Sequence, residues 1–167
     1  MTRLVPMPQR LFIALFLFLA AAVLAAVPIP LVYRSIGTVL FGYFAFATAG
    51  LPAAYVTVLV APMIGAIRGD LEWFIMLPIV LSANLLAMLG LEFAWRNFAV
   101  IVSPLLLVIP PLVAWQLAQR ELFEVTLPVT GHELEWVLLH LLVGVVGVVA
   151  AVFLDRMRER TARSAGA

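Results

Sequence analysis

Between residues 31 and 67 the chain is apolar throughout, with Arg34 as its only charge. One helix of that length would measure about 55 Å at ~1.5 Å per residue, nearly twice the ~30 Å hydrocarbon core of a bilayer. The run must therefore fold back on itself. Gly50-Leu51-Pro52 is the natural place, because glycine permits a turn and proline restarts a helix at its first position. Two spans result, at about 31–49 and 53–67.

The medium follows from composition. The chain is 65% hydrophobic and 11% charged, with a mean hydropathy of +1.17. That leaves too little polar surface to cover a water-soluble globule. Further spans are expected at about 11–27, 71–94, 98–117 and 136–154, followed by a tail at 155–167. The expected fold is all-α: one polytopic membrane domain over 1–167, a six-helix transmembrane bundle. Pro78 predicts a kink in the fourth span, and Pro104, Pro110 and Pro111 predict a bend or break in the fifth. Arg3, Arg10 and the apolar start also resemble a cleavable signal peptide; the reading adopted is a retained first helix. Cysteine is absent, which excludes disulfides and thiolate chemistry.

All ten basic residues are arginine, and their placement predicts the orientation. Six spans with both termini cytoplasmic put Arg3, Arg10, Arg96, Arg156, Arg158, Arg160 and Arg163 inside and Arg34, Arg68 and Arg120 outside, which obeys the positive-inside rule. Trp73, Trp95, Trp115 and Trp136 all fall near span ends, as expected of interfacial belts.

Polar and small residues inside the apolar runs are the candidates for function. Ala61, Gly65 and Gly69 recur every fourth position, a flat stripe for close helix packing inside the bundle or against a partner. Gly144 and Gly147 form a similar stripe, shared with His140 and Ala151. Arg68, Asp70 and Glu72 crowd one short loop and read either as an outward polar contact or as ordinary headgroup-level charges. Ser82 and Asn84 lie mid-span, where Asn84 needs a partner within the bundle. Glu92 and Arg96 share a helical face and are expected to pair at the boundary. His132 lies in the polar loop at 116–135, with Arg120, Glu121, Glu124, Glu133 and Glu135. No Ser-His-Asp set, HExxH helix or P-loop occurs. The chain is therefore read as no enzyme, with no cofactor and no metal site. The arginine tail suits topology or anionic lipid.

In length, in six closely spaced spans, in the short basic tail and in Gly65 to Gly69 followed by Asp70-Leu71, the chain resembles the rod shape-determining MreD family. Arg34 stands where many members open the second span with Arg-Pro-Asp; here Ser35 and Ile36 follow. The resemblance implies a non-catalytic scaffold of the bacterial inner membrane. It would bind MreC within the cell-elongation machinery and help couple cytoplasmic MreB filaments to the peptidoglycan synthase pair outside, with no nucleic acid involved. The layout is also similar to the substrate-binding S components of energy-coupling-factor vitamin transporters, which implies an S-component-like fold and, as the alternative function, capture of a vitamin.

Overall fold

The computed structural model describes residues 7–95, 98–120, 127, 128 and 130–165, with backbone alone at 158, 159 and 161–165. Six helices follow one another: α1 (Met7–Ala26), α2 (Leu31–Ala49), α3 (Leu51–Ala66), α4 (Leu71–Phe93), α5 (Ala99–Gln119) and α6 (Glu133–Ala165). The fold is all-α, without a strand among the described residues. All of these helices except α3 are long and apolar enough to cross a membrane, while α3 has 16 residues. The chain is a membrane protein whose surroundings are a lipid bilayer.

The long apolar run does fold back at residue 50. Gly50 has φ 101°, and its N–H donates to the Ala45 and Phe46 carbonyls at 3.0 and 3.1 Å, closing α2. Pro52 then sits in the first turn of α3, where its missing N–H costs nothing. The next turn corrects the small-residue stripe. Helix α3 ends at Ala66, and Gly69 lies beyond it with φ 76°, its N–H donating to Ala66 O at 3.1 Å. Only Ala61 and Gly65 belong to a packing face; Gly69 is a glycine of the helix-ending kind. Asp70 caps α4 by accepting from the Trp73 N–H at 3.2 Å.

Pro104, Pro110 and Pro111 do not break the fifth span, because α5 is continuous from Ala99 to Gln119. Proline is tolerated where neighbouring helices accommodate it, and Pro104 lies directly against Gly144 of α6. Helix α6 runs on through the expected tail to Ala165, about 50 Å at ~1.5 Å per residue. Helices α2 to α6 form a closed ring in which each packs on the next and α6 returns to α2, and α1 lies outside in the groove between α2 and α3.

Large side chains such as Phe12, Phe16, Ile101 and Phe153 point outward, whereas Ala21, Ala54, Ala61, Ala87 and Gly65 are buried. Small residues inside let backbones approach in a solvent where burying bulk brings no hydrophobic gain. The tryptophans lie near helix ends as expected, but three of them do not face outward. Trp73, Trp115 and Trp136 are buried, in one cluster with Ala25, Met76 and Val80 at the end of the bundle where α2, α4 and α6 begin. At the opposite end Trp95 packs edge-on against Phe46, with ring centroids 4.8 Å apart.

Candidate functional site

Arg34 is 2% exposed, although it is the lone charge of its run. A buried guanidinium demands partners on every side, and the end of α1 and the start of α4 supply them. Its Nε donates to the Ala25 carbonyl at 2.8 Å, its Nη1 pairs with the Asp70 carboxylate, and its head lies 4.3 Å from the centroid of the Trp73 ring. The Arg34 hydrogen bond, aided by the Trp73 N–H, holds the Asp70 carboxyl below the ordinary carboxylate range. Trp73 in turn donates its indole N–H to the Pro62 carbonyl at 2.8 Å.

Ala25 and Ala26 end α1, where unpaired carbonyls concentrate negative charge. Arg68 donates to Ala26 O, so two arginines from outside α1 cap it. Gly65 makes the approach possible: a Cβ there would lie 2.5 Å from Ala25 O and 2.7 Å from Trp73 Nε1. The three loop charges, open to reading as an outward polar contact or as ordinary headgroup-level charges, are divided. Asp70 belongs to the Arg34 cluster, Arg68 to the end of α1, and the Glu72 side chain is exposed.

Beside Arg34, Ser35 faces His140, with Oγ and Nε2 2.8 Å apart. His140 Nδ1 lies 2.8 Å from the Trp136 carbonyl, which only accepts, so Nδ1 carries the proton and Ser35 donates to Nε2. The imidazole also stacks on the Trp136 ring at 4.7 Å. A serine donating to a histidine has the form of a nucleophile and its base. Both groups are buried, at 2% and 1% exposure, which denies a substrate any approach. Gly144 and Gly147 do not share a partner. The first faces Pro104 of α5 and the second the Tyr43 ring of α2, where a Cβ would lie 2.2 Å from Cδ2.

Asn84 is fully buried and donates through Nδ2 to Val58 O at 3.0 Å. That carbonyl lies four residues before Pro62, which has no N–H to offer it. The Asn84 Oδ1 has no partner. Ser103 donates to Ala87 O at 2.7 Å and accepts from the Tyr43 hydroxyl at 2.8 Å, joining α2, α5 and α4. Ser82, on the outer face, returns its hydroxyl to Pro78 O at 2.8 Å. Glu92 accepts from Tyr55 OH at 2.9 Å; its expected partner Arg96 lies outside the described residues, as do Arg3, Glu121, Glu124 and the side chains of Arg158 and Arg163.

One cleft of about 360 Å³ opens where α2, α4 and α6 begin. Its walls include Tyr33, Glu72, His132, Glu135 and Trp136. His132 Nδ1 lies 3.4 Å from Glu135 Oε2. Trp136 is 2% exposed, and its indole N–H has no acceptor. Among the described residues no cluster of three acidic or histidine side chains is placed to hold a metal.

Sequence reasoning singled out Asn84, His140 and Gly65 and missed Ser35, Tyr43, Ser103 and the interior role of Arg34. The signal for Arg34 was present, since a lone charge inside an apolar run has to find partners within the bundle. Compared with known proteins, the chain matches no family model, no curated protein and no solved structure.

Proposed function

We propose that this protein is a non-catalytic membrane scaffold of the MreD kind, seated in the bacterial cytoplasmic membrane with both termini inside. It binds MreC, supports peptidoglycan synthesis during cell elongation, and carries out no chemistry of its own. The observation that carries this reading is how the buried polar groups are used. Arg34 and Asp70, Asn84 and Val58, Tyr43 and Ser103, and Ser35 and His140 each tie one helix to another. A bundle stiffened in this way presents a fixed outer surface, which is what a scaffold offers a partner.

The test is what co-purifies with the tagged protein from gently solubilised native membranes. A single-span periplasmic protein with a coiled coil is expected. A pair of ATPases with a transmembrane coupling subunit would overturn the reading. That outcome belongs to the alternative, an S component capturing a vitamin, which the cleft beside Trp136 favours. Capture by Arg68 and Asp70 has less support, because both are already engaged by Ala26 and Arg34.

A further inference from the structure

We infer that residues 112–119 of α5 form a hinged arm, which swings as a unit about Pro110-Pro111 and opens the end of the bundle that holds Trp73, Trp115 and Trp136 while the rest of the core stays packed. The inference rests on neither functional reading above. It starts from a break in the apolar interior. Trp73, Met76 and Val80 of α4 form one core with Ala114 and Trp115 of α5 and Trp136 of α6. Val39 and Tyr43 of α2, Ala87 of α4, Leu107 of α5 and Val148 of α6 belong to another. Where α2 and α6 pass from one core to the other they bury polar groups instead, namely Arg34, Ser35, Thr38 and His140. Cooperative units follow contiguous packing, so two cores joined through shared helices can open separately.

Helix α5 crosses that break at its two adjacent prolines. Leu107 lies in one core and Ala114 in the other, with Pro110 and Pro111 between them. Each proline lacks the N–H that would reach four residues back, which leaves Leu106 O and Leu107 O, on consecutive residues, without helical donors. In α3 the same loss at Pro62 is made good by Asn84. Among the described residues no side chain does this for Leu106 or Leu107. Pro104 differs again, because Gly144 of α6 packs directly on it. The helix is continuous through Pro110-Pro111, yet this turn is where it least resists bending.

The surroundings of the arm allow it to move outward. Its exposed apolar residues are Leu112 and Val113, so on their side only lipid has to give way. Its buried residues are Ala114 and Trp115, and both pack in the core that also holds Trp136. Trp136 is at the same time a wall of the cleft of about 360 Å³. Withdrawing the arm joins that cleft to the core behind it, and the bundle opens at one end without loosening the other.

The full chain in detergent is given one cysteine at a time, Ala114→Cys on the arm or Ala87→Cys in the other core, both at buried alanines of a protein with no cysteine of its own. A small uncharged maleimide is the probe. Ala114→Cys is expected to react faster than Ala87→Cys. Adding Pro110→Ala with Pro111→Ala is expected to slow it about tenfold, the effect of returning two backbone hydrogen bonds of modest net worth. Pro110→Ala alone, which returns one of them, is expected to give a smaller slowing. Amide exchange separates a swinging arm from a fraying helix end, because a rigid arm keeps the bonds from residues 116–119 to 112–115. Those amides are expected to stay protected in the parent while residue 114 reacts. Equal labelling at the two cysteines, labelling indifferent to the prolines, or exchange at 116–119 as fast as the labelling would each overturn the proposal.

Discussion

Pro62 and Asn84 are twenty-two positions apart in the chain and one hydrogen bond apart in the bundle, since the proline leaves Val58 O without its helical donor and the asparagine supplies another. Their effects should be coupled. Asn84→Ala is expected to destabilise the parent by about 1 kcal/mol, the scale of an interhelical hydrogen bond in a membrane. In a Pro62→Ala background, where residue 62 again donates to Val58 O, the same change is expected to cost measurably less. Equal losses in both backgrounds, from unfolding in detergent, would count against the coupling. Asn84 was legible as a group in need of a partner, and the partner was legible too, because a proline inside an apolar helix frees the carbonyl four residues earlier. Asp70 gives a prediction with a sign. Its carboxyl titrates below its unfolded value because Arg34 favours the charged form, so the pair's contribution is present above about pH 4 and fades as pH falls through the lowered value. Asp70→Asn keeps a capping side chain and removes the ion pair. It should lower stability at neutral pH by about 1 kcal/mol, the upper range for a pair that solvent partly reaches. Its melting temperature should also drop less on acidification than the parent's.

At the scale of helices, the four-residue spacing of Ala61, Gly65 and Gly69 concealed a boundary. Ile67-Arg68-Gly69-Asp70 reads equally as a glycine that ends one helix and an aspartate that starts the next, and the structure takes that second form. Gly65 and Gly69 should therefore respond differently to substitution. Gly65→Ala pushes a methyl group against Ala25 O and Trp73 Nε1 and is expected to cost about 1–3 kcal/mol as overpacking. Gly69 has open space around it, so Gly69→Asn, which tolerates positive φ, should be nearly neutral and Gly69→Val clearly worse. Melting curves of the three variants check this, and a Gly65→Ala protein as stable as the parent would remove the close contact from the account. The burial of three tryptophans was not legible for a related reason. Sequence position shows that a residue is near a helix end but not whether it faces lipid, and the neighbours that bury Trp73, Trp115 and Trp136 come from several different helices.

For the whole molecule, the number and order of the helices were legible because each apolar run ends at a glycine, a proline or a charge. The ring was not, because the return of α6 to α2 depends on contacts such as Gly147 with Tyr43 that no local pattern encodes. The orientation proposed from the arginines can be tested directly, since the chain has no cysteine of its own. Thr130→Cys and Ser164→Cys should label from opposite sides of the membrane, Thr130→Cys from outside, and equal labelling of both by an impermeant reagent would refute the six-span topology. The two arginines that cap α1 both come from later in the chain than the helix they fasten. Synthesis delivers the N-terminal helix first, at about 5–20 residues per second, so α1 enters the membrane seconds before Arg68 and Asp70 exist. Until they arrive Ala26 O lacks its arginine, and Arg34, which reaches Ala25 O, lacks its carboxylate, so the end of α1 is fully fastened only once the turn into α4 has been made.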